Sequence, residues 1–364
     1  MSGVAQPVLQ LRANHRVLIV TDAWYPQVNG VVRTLDMMGR ELRNLGHDVH
    51  FITPDLFTSI PCPTYPEIRL AILPGRKLAR MVEAWQPCVI HVATEGPVGL
   101  AARRYCRKRG LPFTTSFHTR FPEYIQARTG IPADWIYPLL RHFHNAADMI
   151  MVATETLRAD LAARGFENLA IWGRGVDVEL FKPRDKAFLS DPRPIYLYVG
   201  RIAVEKNIKD FLDLDMPGTK IVVGDGPQRD TLQRAYPAVR FVGTKQGEDL
   251  ARYYAAADVF VFPSRTDTFG NVVLEALASG VPVAAYPVPG PKDILGGTAV
   301  GALDVDLARA TRKALTISPD ACRAFALGYS WRTSAEQFLA NVIPFEASWP
   351  TTGQGEFRPL ARTS

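Results

Sequence analysis

The densest chemistry in the chain lies in residues 263–282, PSRTDTFGNVVLEALASGVP. Asp267 sits in a polar loop, Gly270 breaks it, and Asn271 opens an apolar helix that stops at Gly280, before Pro282. A helix start offers the amides of Phe269, Gly270 and Asn271, and the positive end of its dipole, to a phosphate. Glu275 falls in the second turn of that helix, and Asp267, eight positions earlier, stands at the mouth of the same pocket. The arrangement suits a diphosphate with a hydroxylated group on either side, one carboxylate for a sugar hydroxyl and the other for a ribose. Taken out of context, the same letters describe a Glu275 that complements the helix dipole and an Asp267 that caps a loop.

Other loops add charge and turns at matching places. After the apolar run 195–199 come Gly200, Arg201, Glu205, Lys206 and Asn207, which put two fixed cations just past a strand end. Arg grips phosphate oxygens as a bidentate fork, and Lys supplies a point charge to a leaving group. Val223 to Pro227 reads VGDGP, a tight turn built of small residues, and Phe241, Val242 and Gly243 end a later strand. Gln27, Val28, Asn29 and Gly30 lead into a helix N-terminus, where glycine admits a phosphate close to the backbone. No G-x-G-x-x-G follows Val20, which weighs against NAD or FAD. His118, in the segment SFHTRFPEY that ends at Tyr124, and Arg174, in WGRGVD, follow strand ends in the first half. Asp213 and Asp215 spell D-x-D by coincidence in a short polar stretch, and no His or Cys cluster has metal-ligand spacing.

These loops need strands and helices to position them. Short β-rich runs at 17–20, 49–53 and 89–92 alternate with helical patterns at 31–45, 78–85 and 98–108, and a second series of strands lies at 195–199, 221–223, 239–242, 259–262 and 281–285. Such alternation reads as two sets of βαβ units with parallel sheets. Val31, Leu35, Met38, Leu42 and Leu45 give the first helix an apolar face, with Gly46 as its stop. The expected organisation is a first domain over 1–181, a proline-containing linker at 182–194, a second domain over 195–330, a helix at 331–345 and a loose polar tail at 346–364.

The 364 residues, 47% of them hydrophobic, suffice for two cores. Four scattered cysteines lack C-x-x-C or metal spacing and read as reduced thiols. The N-terminus lacks a charged-then-apolar leader pattern, and no apolar run reaches about 18 residues. Residues 1–110 hold 14 Lys and Arg against 8 Asp and Glu, so the net charge of +6 lies entirely in that part of the first domain. Arg76, Lys77 and Arg80, then Arg103, Arg104, Arg107, Lys108 and Arg109, carry much of it. Without a nucleic-acid motif, an anionic membrane surface is the expected partner of these groups rather than DNA or RNA. Either cluster alone also reads as a solvated helix face.

Residues 263–283 resemble the E-x7-E signature of retaining glycosyltransferases of the family-4 type, S-x-x-D/E-T-x-G-x-V-x-L-E-A-x-A-S-G-x-P-V. Asp267 stands where that family usually carries Glu, keeping the charge and shortening the reach by one methylene. Residues 200–207 are similar to the family's G-R-(x)n-E-K-N segment, 223–227 to its V-G-D-G-P turn and 172–177 to its W-x-R-G-V-D segment. Residues 116–124 resemble the S-x-H-T-x-x-P-x-Y segment of glycosyltransferases acting on diacylglycerol, including sulfoquinovosyl-diacylglycerol synthases and bacterial glucosyl- or glucuronosyl-diacylglycerol synthases. The resemblance runs from Asp22 to about Gly290. It implies an α/β fold of GT-B type, two Rossmann-like doubly wound domains facing across a cleft, with the helix at 331–345 crossing back onto the first.

It also implies roles. Arg201 and Lys206 would hold a nucleotide diphosphate with Gly30, Gly200, Phe269, Gly270 and Asn271; Glu275 would hold the ribose; Val242 would lie at the base. Asp267 and His118 would hold the donor sugar, His118 also steadying the developing oxocarbenium, with Arg174 and Tyr124 near the sugar or acceptor. The implied reaction is front-face and retaining: the leaving diphosphate deprotonates the incoming hydroxyl, with no enzymic nucleophile and no metal cofactor. The expected donor is a nucleotide-diphospho sugar (UDP-glucose, UDP-galactose or UDP-glucuronate) and the expected acceptor a membrane lipid such as diacylglycerol. The protein would then sit in the cytoplasm, peripheral on the inner face of the membrane. The alternatives are a GDP-mannose-dependent α-mannosyltransferase acting on a phosphoinositide or soluble glycan, and a non-catalytic nucleotide-sugar-binding protein or epimerase on the same fold.

Overall fold

The computed structural model describes residues 14–27, 29–62 and 65–349; the expected tail beyond 349 lies outside them. The first half runs β1 (Arg16–Val20), α1 (Gly30–Asn44), β2 (Asp48–Ile52), β3 (Ser59–Cys62), β4 (Tyr65–Ala71), α2 (Gly75–Trp85), β5 (Val89–Val92), α3 (Pro97–Arg109), β6 (Thr114–Ser116), α4 (Phe121–Thr129), α5 (Ala133–His144), β7 (Met149–Val152), α6 (Glu155–Ala163) and β8 (Leu169–Ile171). The second runs β9 (Ile195–Val199), α7 (Ile208–Leu212), β10 (Thr219–Val223), α8 (Arg229–Ala235), β11 (Arg240–Phe241), α9 (Gly247–Ala256), β12 (Val259–Phe262), α10 (Asn271–Ala278), β13 (Val283–Ala285), α11 (Pro291–Leu295), β14 (Gly301–Leu303), α12 (Leu307–Ala314), α13 (Pro319–Ala326) and α14 (Trp331–Asn341).

Two six-stranded sheets result, ordered β2-β1-β5-β6-β7-β8 and β11-β10-β9-β12-β13-β14. Every pair in them is parallel. The central strands explain why: IYLYV of β9 and VFVF of β12 are buried at every position, as a strand covered by helices on both faces must be. The order in which strands are added reverses once in each sheet, between β1 and β5 in the first and between β9 and β12 in the second. Ligands bind outside the carboxyl ends of strands at such a switch point. The loops after β9 and β12 are those carrying Arg201, Lys206 and Asp267.

On α1, Val32, Leu35, Met38 and Leu42 are buried, while Val31 and Leu45 are only half-buried. An antiparallel ribbon of β3 and β4 lies outside the main sheets, with Pro61 in β3 and Pro66 in β4. A two-stranded ribbon tolerates a proline in each strand, having edges where a missing N–H costs nothing.

The chain leaves the first sheet at β8, and Val176, Phe181 and Leu189 already pack in the core of the second. Residues 182–194 lie along that second body: Arg184 pairs with Glu248, and Lys186 and Arg193 pair with Asp258 at 2.9 and 2.7 Å. The α14 helix returns to the first body. Its Phe338 and Ala335 are buried beside Trp172 and Leu35, Trp172 Nε1 donates to Ser334 Oγ at 3.1 Å, and Asn341 donates to the Ile171 carbonyl at 2.8 Å.

Candidate functional site

Glycines set the floor of the second half of the cleft. Gly224 has φ +144°, and a Cβ there would lie 1.9 Å from the Gly200 carbonyl oxygen, so the VGDGP turn can approach the loop after β9 only as glycine. Gly270, at φ +90°, turns the chain into α10. Asp213 and Asp215 lie beyond α7, before the start of β10, at the opposite end of the sheet from these loops. No group of metal-ligating side chains occurs among the described residues.

Lys206 and Asp267 meet at the switch point. Lys206 Nζ lies 2.5 Å from Asp267 Oδ1 and 3.1 Å from the hydroxyl of Tyr124, which comes from α4 on the facing domain. Burial opposes the Lys206 charge, but Asp267 and Tyr124 outweigh it and hold the ammonium well above its ordinary value. Asp267 Oδ2 is buried without a hydrogen-bond partner. An unsatisfied carboxylate oxygen in a cleft costs free energy that a ligand hydroxyl would recover.

Two helix starts face each other beside this pair. Asn271, first residue of α10, donates to Thr34 Oγ1 at 3.1 Å, on α1. The α1 start is partly spent, because Asn29 Oδ1 accepts from the amides of Val31 and Val32 at 3.0 Å each, which leaves the Gly30 amide. Glu275 is 3% exposed. One of its oxygens accepts from Arg33 of α1 and the other from the Tyr254 hydroxyl at 3.0 Å. Neither Arg33 nor Tyr254 stood out in the sequence, where each is one polar group among several on an ordinary amphipathic helix.

His118 follows β6, and its carbonyl accepts from Thr268 Oγ1 at 2.7 Å, which ties it to the Asp267 loop. Both its ring nitrogens are engaged. Arg174 Nη2 approaches Nδ1 at 3.3 Å, and since a guanidinium only donates, Nδ1 accepts and the proton resides on Nε2. Nε2 then donates to Ser116 Oγ at 2.8 Å, Ser116 donates to His91 Nε2 at 3.0 Å, and His91 Nδ1 donates to Thr114 at 2.8 Å. Burial, then the Arg174 charge, keep His118 neutral far below its ordinary pKa. For His118 to take a sugar hydroxyl, one of these partners must give way.

Arg174 is 6% exposed, donates to the carbonyls of Trp172 and Gly173 at 2.6 and 3.1 Å, and has no carboxylate partner among the described residues. Burial lowers its pKa to about 9. A cavity of ≈ 440 Å³ opens beside it, lined by Thr154, Gly173, Phe269, Asp293 and Gln337 among others. Val242 lies at the end of β11 with its amide committed to the Val222 carbonyl at 3.0 Å, and the Gly243 carbonyl accepts from Gly224 at 3.0 Å.

The two-sheet architecture and the cleft between the sheets are those of GT-B glycosyltransferases. The structure of sucrose-phosphate synthase from Thermosynechococcus elongatus superposes with a TM-score of 0.72 at 21% identity, covering 90% of this chain and 97% of that one. More narrowly, the chain belongs to glycosyltransferase family 4: residues 28–180 match the family model Glycosyltransferase Family 4, and residues 193–316 match Glycosyl transferases group 1. Among its relatives, a GDP-mannose-dependent alpha-mannosyltransferase of Mycobacterium tuberculosis is 32% identical over 309 residues, 77% of this chain and 81% of the relative. Sulfoquinovosyl transferase SQD2 of Arabidopsis thaliana is 33% identical over 76% of this chain and 60% of its own length. An alpha-monoglucosyldiacylglycerol synthase of Streptococcus pneumoniae is 27% identical over 91% of this chain and 85% of its own. The protein is a glycosyltransferase.

Proposed function

We propose that this glycosyltransferase moves a hexosyl group, with retention, from a nucleotide-diphospho sugar to a lipid acceptor at an anionic membrane surface, most simply diacylglycerol. The donor half of the reading rests on the cleft. Lys206 and the starts of α1 and α10 supply positive charge for the leaving diphosphate, Asp267 Oδ2 keeps an unfilled acceptor site for a sugar hydroxyl, and Glu275 takes the ribose. With that charge supplied by the protein, the diphosphate leaves without a metal and takes the acceptor's proton on the same face of the sugar.

The acceptor half rests on one observation, exposed apolar and unpaired basic side chains on the first domain. Helices α2, α3 and α5 share a core through Leu78, Val98 and Phe143, and Arg103 of α3 donates to the carbonyls of His142 and Phe143 at the end of α5. Outside that core, Leu73 is 90% exposed, Trp135 74% and Leu139 71%. Arg76, Arg80, Arg104, Arg107 and Lys108 are exposed and form no ion pair among the described residues. Large exposed apolar side chains and unpaired cations on one domain suit a surface of anionic lipid, where apolar area enters the interface and the cations meet headgroups. Helix α5, which carries Trp135 and Leu139, packs on α4, whose Tyr124 faces Lys206. No helix among the described residues is long and apolar enough to cross a membrane, and peripheral docking on the cytoplasmic face fits the reading.

UDP-glucose, UDP-galactose or UDP-glucuronate is the favoured donor. The mycobacterial relative at 32% identity supports GDP-mannose as the second reading. The test offers all four donors to the purified protein, with and without diacylglycerol in anionic vesicles, once with EDTA and once with added magnesium, and measures nucleotide release and lipid products. A glycosylated diacylglycerol supports the proposal and names the donor. Turnover of GDP-mannose on a soluble glycan alone, or a requirement for added metal, overturns the corresponding part.

A further inference from the structure

The cleft holds a cation that none of the sequence signatures contains. Arg33, in the first turn of α1, reaches across from the facing domain to Glu275, and its guanidinium also lies 5.8 Å over the ring of Phe181. Tyr254 on α9 binds the other carboxylate oxygen at 3.0 Å. Glu275 is thereby held from two sides, by a rigid planar donor and by a buried phenol. A carboxylate offers about four lone-pair sites, two on each oxygen. With one site on each oxygen taken by the protein, one on each remains, and the pair lies in the fixed plane of the carboxylate. That is the acceptor pattern for two adjacent hydroxyls.

We infer that Arg33 is a positioning residue: with Tyr254 it fixes the Glu275 carboxylate so that its two remaining acceptor sites match the vicinal 2′- and 3′-hydroxyls of the nucleotide ribose. The inference rests on the reading that Glu275 faces the ribose. Without Arg33, Glu275 is held on one oxygen only, by Tyr254, and can swing about that bond, so it no longer presents both sites together. The prediction is therefore a loss of discrimination rather than a mere loss of affinity.

The experiment measures calorimetric binding of UDP and GDP, each against its 2′-deoxy counterpart, to the wild-type protein, Arg33→Met, Arg33→Gln and Glu275→Gln. Thermal melts check that each variant is folded, and the two Arg33 variants make the test independent of either one folding poorly. In the wild type, a hydrogen bond to a charged group makes the ribonucleotide bind roughly ten- to a hundredfold more tightly than the deoxy form. Both Arg33 variants are expected to bring that ratio below about threefold, as is Glu275→Gln. If Glu275→Gln loses the ratio and the Arg33 variants keep it, the Arg33 inference fails and the ribose reading stands. If Glu275→Gln keeps the wild-type ratio, the ribose reading fails and the inference falls with it.

Discussion

Replacing Lys206 by Met separates what this side chain does for the reaction from what it does for the fold. The ammonium lies 2.5 Å from Asp267 and both side chains are largely buried, at 19% and 18% exposure. Methionine fills the space of the aliphatic stem and strands the Asp267 carboxylate, one of whose oxygens already lacks a partner. Breaking a buried pair from one side costs about 3–5 kcal/mol, and the residual exposure here points to the lower end, about 3 kcal/mol. The catalytic loss has a separate origin. Removing one preorganised donor from developing negative charge costs roughly 2.7–4 kcal/mol, or about a hundred- to a thousandfold in kcat. The double variant Lys206→Met, Asp267→Asn distinguishes them, since it removes the stranded charge without restoring a cation. Denaturant unfolding is expected to recover most of the lost stability in the double variant, while nucleotide release under saturating donor stays as low as in the single one. Single-variant activity within tenfold of wild type, less than about 1.4 kcal/mol in the barrier, would refute the assignment of Lys206 to the leaving group. So would recovery of activity in the double variant.

Acid should act on stability through three buried groups. Burial, then the Arg174 and His144 charges, lower the His91 pKa from 6.5 to about 3, and His118 is lowered as well. Their stabilisation is complete above pH 6.5 and is lost as pH falls toward the folded-state values, at about 1.4 kcal/mol per pH unit for each histidine. Burial raises Asp22 from 3.8 to about 6, so its contribution has the opposite sign, being complete below 3.8 and lost as pH rises through 6. Between pH 6 and 4 it offsets one histidine; in Asp22→Asn the stability measured by denaturant unfolding should fall more steeply over that range by about 1.4 kcal/mol per unit, and an unchanged slope would contradict the argument. Gly224→Ala places a methyl group 1.9 Å from a backbone oxygen and should cost about 3 kcal/mol or more, whereas Gly110→Ala, at φ +63° with open space around it, should cost about 1–2 kcal/mol. Equal melting-temperature shifts in the two would show that the crowding at Gly224 relaxes freely.

The parts of the site that were legible in the sequence are those made by adjacent residues. A strand, a loop and a helix start bring Asp267, Gly270 and Asn271 together through local geometry alone, and the same holds for Gly200 to Lys206. The parallel sheets were legible for a similar reason, because strands buried on both faces are continuous apolar runs. What was missed depends on the two domains meeting. Arg33 is 242 positions from Glu275, and on α1 it occupies the polar side, where an arginine ordinarily faces water. Tyr124 reaches Lys206 over 82 positions, and Thr268 reaches His118 over 150. The stretch 133–144 shows the same limit within one helix: its apolar letters look alike, yet Tyr137, Leu140 and Phe143 are buried while Trp135 and Leu139 are exposed. These omissions share a consequence. Glu275 takes one partner, Arg33, from the first domain, and Lys206 beside Asp267 takes another, Tyr124, so the geometry of both carboxylates depends on how the two domains meet. A substitution at Arg33 of α1 should therefore alter donor binding although it lies outside every donor-site signature in the sequence.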